Sequence, residues 1–194
     1  MIVAYSGHGL FSPDYDYFLS TYNVDFNSPA QNGLPYDALE NLLDGIPARK
    51  KLMLIDACHS GEVDKDELTK YATAAPELAN NGVTGKGVSI VIASKSGISM
   101  ASSFELMQQL FVNVGKGTGA TIISAAGGMQ FALEKSDLKN GVFTYSILEN
   151  MQQNQHVSIS ALKQYVNKRV AQLTAGLQVP TTRSEADVVD WQVW

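Results

Sequence analysis

The stretch KLMLIDACHSGE, residues 51–62, decides the fold. Its first seven residues are a near-continuous apolar run, the pattern of a strand covered on both faces in a parallel sheet. Upstream, Leu39, Leu42, Leu43 and Ile46 fall at helical spacing, with Pro35 suited to the first turn and Gly45 and Pro47 ending the run. Before that helix, IVAYS (2–6) is a short apolar run ended by Gly7. Strand, helix, strand is the beginning of an α/β fold.

Working outward, DYFLSTYNVD (16–25) reads as a strand or hairpin arm, and NSPAQNGLP (27–35) as turns. Residues 59–87 are polar and read as a long loop with one short helix near 64–72. VSIVIAS (88–94) and ATIISAA (120–126) read as further buried strands, separated by a helix whose stripe is Phe104, Met107, Leu110, Phe111 and Val114. Two helices follow, about 142–152 and 158–174, the second with Leu162, Tyr165, Val166, Val170 and Leu173 inward; DVVDWQVW (187–194) is a closing strand or extended tail. The whole reads as one domain, residues 1–194, a three-layer α/β/α sandwich around a mostly parallel sheet.

The chain has 194 residues, 45% of them hydrophobic, which suits a single core of good size. A net charge of −5 with scattered Lys and Arg argues against nucleic acid or an anionic membrane as partner. The short ARKK cluster (48–51) reads as a solvated strand entrance. No apolar run reaches the roughly 18–20 residues of a membrane helix, and no signal peptide is recognisable, so a cytoplasmic location is expected. The single cysteine excludes an internal disulfide and a multi-cysteine zinc site. GKGTGAT (115–121) lacks the spacing of a phosphate loop and stands between helix and strand, the wrong order; it is a helix stop.

In open α/β sheets, chemistry gathers at the carboxyl ends of the strands. His8, in VAYSGHGLF (3–11), is expected just past the end of the first strand, and Cys58 just past the end of the central one. Residues two apart in a strand share a side, so Ser6 accompanies His8 and Asp56 accompanies Cys58. A thiol of pKa near ~8.5 is a poor nucleophile at neutral pH until a base such as imidazole activates it. Gly7 and Gly9 let backbone and substrate approach the histidine, and the N–H groups of Gly9 and Cys58 are candidate oxyanion donors. A lone buried cysteine is ordinarily an inert small hydrophobe, and a lone histidine after a strand is ordinarily structural; it is the joint pattern that points to catalysis. His59 reads as loop structure and His156 as solvated.

These residues resemble the two catalytic motifs of the caspase-like cysteine peptidases (clan CD, family C14). Asp-Ala-Cys-His-Ser-Gly (56–61) is similar to the metacaspase form, and the bacterial branch looks nearest. TGATIISAAGGMQFALE (118–134), NGVFTYSILENM (140–151), FELMQQLF (104–111) and DWQVW (190–194) carry the likeness downstream. The resemblance implies a cysteine endopeptidase acting on polypeptide, with His8 as general base and acid and Cys58 as nucleophile. Gly9 and Cys58 would form the oxyanion hole; Ser6 and Asp56 would line an S1 pocket selective for Arg or Lys. It implies no obligatory cofactor. A metal site is not expected, calcium being the one candidate, with Asp25, Glu62, Asp64 and Asp66 as the nearby acids. Lys65, Lys70 and Lys86 would be self-cleavage sites in the loop after the nucleophile. Family members place two strands before the histidine strand. Against that pattern the first strand here would have an exposed edge, with three alternatives: an upstream portion is absent, a homo-oligomer or partner chain covers the edge, or the fold is rebuilt as a shorter sheet. The competing expectation is a catalytically silent caspase-like domain serving as an interaction or assembly module.

Overall fold

The computed structural model describes residues 1–12, 16–59, 83–85, 120–126, 132–184 and 190–194. Among the described residues its core is a six-stranded sheet. β1 (Ile2–Phe11) and β4 (Lys51–His59) run parallel, paired from Ile2↔Leu52 to Gly9↔His59. β6 (Ala120–Ser124) lies parallel on the other side of β4, from Lys51↔Ala120 to Ile55↔Ser124. Antiparallel strands flank this parallel centre: β2 (Tyr17–Leu19) on β1, β3 (Leu34–Pro35) on β2, and β8 (Thr181–Ser184) on β6. The order across the sheet is β3-β2-β1-β4-β6-β8. β5 (Val83–Gly85) and β7 (Leu133–Lys135) form a separate antiparallel ribbon.

Strand alternation sorts the core into two layers. Met53, Ile55, Ala57 and Ile122 meet Tyr36, Leu39 and Leu43 of α1 (Tyr36–Asp44). Leu52, Leu54 and Ile123 meet Phe143 and Ile147 of α2 (Val142–Gln153) and Leu162, Val166 and Val170 of α3 (Ile159–Leu173). Helices on both faces make the three-layer sandwich expected from the sequence. The tail 190–194 closes the second layer: Val157 N–H donates to Trp194 O (3.0 Å), Val193 N–H donates to Val157 O (2.7 Å), and both tryptophans pack on the core.

Several local expectations are corrected. β1 and β4 are longer than their apolar runs, so His8 and Cys58 lie within strands rather than beyond them; ladder pairing carries both strands through their polar ends. The histidine strand is interior to the sheet, because β2 folds back and pairs with Gly9–Phe11. Among the described residues no strand pairs with that edge along Ile2–Gly7. Leu42 is exposed, since α1 buries only the narrower stripe of Tyr36, Leu39 and Leu43. Lys51 is buried, not solvated: its ammonium donates to Leu43 O (2.6 Å), where the carbonyls at the end of α1 favour a cation. β5 falls in the expected long loop, and β7 and β8 were not anticipated. The short helix expected near 64–72, the strand 88–94 and the helix with the Phe104 stripe lie outside the described residues.

Candidate active site

The parallel register brings the sequence candidates together. His8 is the register partner of Cys58, and Ser6 that of Asp56. Neighbouring strands lie about 4.8 Å apart, so one cross-strand step joins the backbones of the two motifs. Positions 6, 8 and 56 share the parity of Leu52 and Leu54, the α2 and α3 side of the sheet.

His8 is half-buried, and its peptide is tied from several directions. Its N–H donates to Ser20 Oγ (3.1 Å), and its carbonyl accepts from Ser20 N–H (2.8 Å) and from the Tyr5 hydroxyl (3.0 Å). The Tyr5 hydroxyl also lies 2.9 Å from Ser20 Oγ and donates to Ser20 O (3.0 Å). Burial pushes the Tyr5 phenol above its usual value, against the opposing pull of those bonds. This knot explains Gly7: a Cβ there would overlap the Tyr5 hydroxyl. The bare Cα of Gly7 thus makes room for Tyr5 on the α1 side of the strand. The His8 ring meets Phe26 edge-on, with centroids 5.5 Å apart at 66°. Phe26 is exposed and falls between the expected hairpin arm (16–25) and the turns (27–35).

Asp56 has a different setting. It is 1% exposed, and its Oδ2 accepts from Thr144 N–H (3.3 Å) and from Thr144 Oγ1 (2.5 Å). α2 begins at Gly141 without a side-chain cap of its own. Asp56 thus supplies from β4 the acceptor that an N-cap residue would ordinarily supply, at the helix end that favours negative charge. A Cβ at Gly141 would overlap the Asp56 carboxylate. Ser6 beside it is exposed, so this register pair spans a step from surface to interior.

The family model of the caspase domain, peptidase C14, matches residues 1–188. The chain belongs to the caspase-domain family. Among solved structures, the caspase domain is similar to the crystal structure of protein GSU0716 from Geobacter sulfurreducens, with a TM-score of 0.51 and 17% identity. That match covers 95% of this chain and 65% of the other, and it bears on the fold alone. No curated protein is significantly similar to the chain.

Asp25 makes a turn, its Oδ1 accepting from Asn27 N–H (2.9 Å); Glu62, Asp64, Asp66 and the three candidate cleavage lysines lie outside the described residues. Among the described residues, no group of three or more His, Cys, Asp or Glu side chains could hold a metal. His156 is exposed between α2 and α3. Sequence reasoning missed Gln178. Fully buried, it donates from Nε2 to Ala125 O (2.8 Å) and accepts at Oε1 from Leu133 N–H (2.9 Å), fixing the end of β6 to the start of β7. A glutamine in a polar stretch carries no signal of such a role.

Proposed function

We propose that this caspase domain is a cysteine endopeptidase that cleaves after Arg or Lys. The observation that carries the reading is the register, which sets His8 against Cys58 and Ser6 against Asp56 on one pair of parallel strands. His8 takes the proton of the Cys58 thiol, and the thiolate adds to the scissile carbonyl. The N–H groups of Gly9 and Cys58 donate to the oxyanion. Collapse expels the amine, which takes its proton from His8, and leaves a thioester on Cys58. Water, deprotonated by His8, then hydrolyses the thioester and restores the thiol. A basic P1 side chain passes the exposed Ser6 and finds its counter-charge at Asp56. The motif form supports a bacterial metacaspase-like role in the cytoplasm, with self-processing at Lys65, Lys70 or Lys86. Among the described residues, no helix is long and apolar enough to cross a membrane.

Paired fluorogenic peptides ending in Arg and in Asp test the reading, with Cys58→Ala as control. Hydrolysis of the Arg peptide alone, abolished in the variant, is expected. Hydrolysis of neither, with no labelling of Cys58 by an electrophilic peptide ketone, would overturn it. Mass spectrometry extends the test to self-processing, since cleavage that survives in Cys58→Ala is not self-cleavage. One observation favours a second reading, an assembly module: Met1 and Ile2 are exposed beside the stretch of β1 edge that no described strand covers. Sedimentation would then show a homo-oligomer, or the edge would take up a partner chain.

A further inference from the structure

We infer that Thr144 is the positioning residue of the P1 pocket: its hydroxyl and N–H aim the Asp56 carboxylate, so selectivity is set jointly by β4 and α2. The inference rests on the reading of Asp56 as the P1 counter-charge.

Three features support it. First, both donors of Thr144 converge on one oxygen, Oδ2, of a carboxylate buried two residues before Cys58. An aspartate has two side-chain torsions, and this pair of bonds removes their freedom. Second, the cradle is closed on its other side by Gly141, where any side chain would displace the carboxylate. Third, α2 is itself held firmly. Val142 and Phe143 are fully buried, and Glu149 is gripped by Arg169 of α3 through Nε (2.6 Å) and Nη2 (2.8 Å). Within a helix, threonine's branched Cβ restricts its χ1 to two wells, so the hydroxyl is a fixed reference point. The first turn of α2 thus carries pocket geometry across 88 residues of sequence to the strand bearing the nucleophile.

Thr144→Val keeps the branched shape and removes the hydroxyl; Thr144→Ser keeps the hydroxyl; Gly141→Ala pushes the carboxylate from the opposite side. Each is compared with the unmodified chain on peptides ending in Arg and in Gln, and by the rate at which iodoacetamide alkylates Cys58. For Thr144→Val, the preference for Arg over Gln should fall about tenfold, mainly through KM. The alkylation rate should stay within about twofold. Thr144→Ser should restore most of the preference, and Gly141→Ala should lower it. Equal losses on both peptides and in alkylation would mark a merely structural residue and overturn the inference, as would an unchanged preference. A double-mutant cycle of Asp56→Asn and Thr144→Val, read by urea unfolding, tests the link without activity. A coupling of roughly tenfold in the unfolding constant is expected, and additivity would overturn it. If the unmodified chain hydrolyses neither peptide, the P1 reading fails, while the cycle still decides whether Thr144 holds Asp56.

Discussion

β1 and β4 are partners from Ile2↔Leu52 to Gly9↔His59, yet only one of them is enclosed. β4 is buried from Lys51 to Ala57, covered by α1 on one side and by α2 and α3 on the other. On β1, Ile2, Ala4 and Ser6 lie exposed on the face where their β4 partners are covered. Stability and access are thus divided between two adjacent strands. β4 carries Asp56 inside the core, while β1 leaves Ser6 at the surface. The boundary between them runs through the Ser6–Asp56 pair, where the polar groups of the proposed pocket sit.

The comparison can be broken most severely at the chemistry. His8→Ala should lower hydrolysis of an Arg peptide by roughly 10⁴-fold or more, as loss of a general base does in other acyl-transfer sites. Its urea midpoint should move little, because His8 is only half-buried. A large loss of stability instead would make His8 a structural residue. Next come matched truncations on the two strands. Leu52→Ala, at a site 1% exposed, should cost about 2–5 kcal/mol of unfolding free energy. Ile2→Ala, at its register partner 48% exposed, should cost less than about 1 kcal/mol. Similar costs would mean that β1 is covered in solution, as the assembly reading requires.

The smallest effect lies on the covering layer itself, in the tie between α2 and α3. Hydrogen bonding from Arg169, then from Tyr165 and Tyr145, holds the Glu149 carboxyl below its usual value, against the opposing effect of burial. A carboxyl with a lowered native pKa contributes its stability above its unfolded value near 4.5, and loses it as pH falls through the native value. Tyr165 is pushed up to about 12 by burial and by Glu149. Its contribution is complete below its unfolded value of 10.0 and is lost as pH rises through about 12. Arg169→Ala should therefore destabilise by about 1 kcal/mol or less at pH 7, since the pair is partly solvated. The deficit should shrink at pH 3; one that is unchanged there would remove the ion pair as its cause. At neutral pH the variant should also leave β1 untouched, sharpening the separation of the two strands.

Apolar runs and two motifs made much of this legible. The apolar run Leu52–Ile55 marks β4, and the spacing of Leu162, Val166 and Val170 marks the buried face of α3. The register partners His8 and Cys58 lie in two stretches that stand out in the sequence, Gly-His-Gly and Asp-x-Cys. Other features depend on partners far along the chain. TTRS (181–184) has no apolar alternation and becomes a strand only because β6 offers an edge. Lys51 looks solvated until the end of α1 is placed above it. The closeness of Tyr5 to Gly7 likewise shows only once the strand is folded. Asp56 was legible as a neighbour of Cys58, but its capping of α2 was not: nothing local links it to a threonine in a distant helix.

The parallel register has a consequence for how such a gene can change. Side chains along β1 and β4 can be exchanged one at a time, each at its own cost. A single-residue insertion or deletion between Ile2 and Gly7 is another matter, because it moves every later pair out of step. Position 58 would then face a glycine in place of His8, and Asp56 would lose Ser6. Drift by substitution can retune this site, whereas a change of length within either strand should erase it in one event.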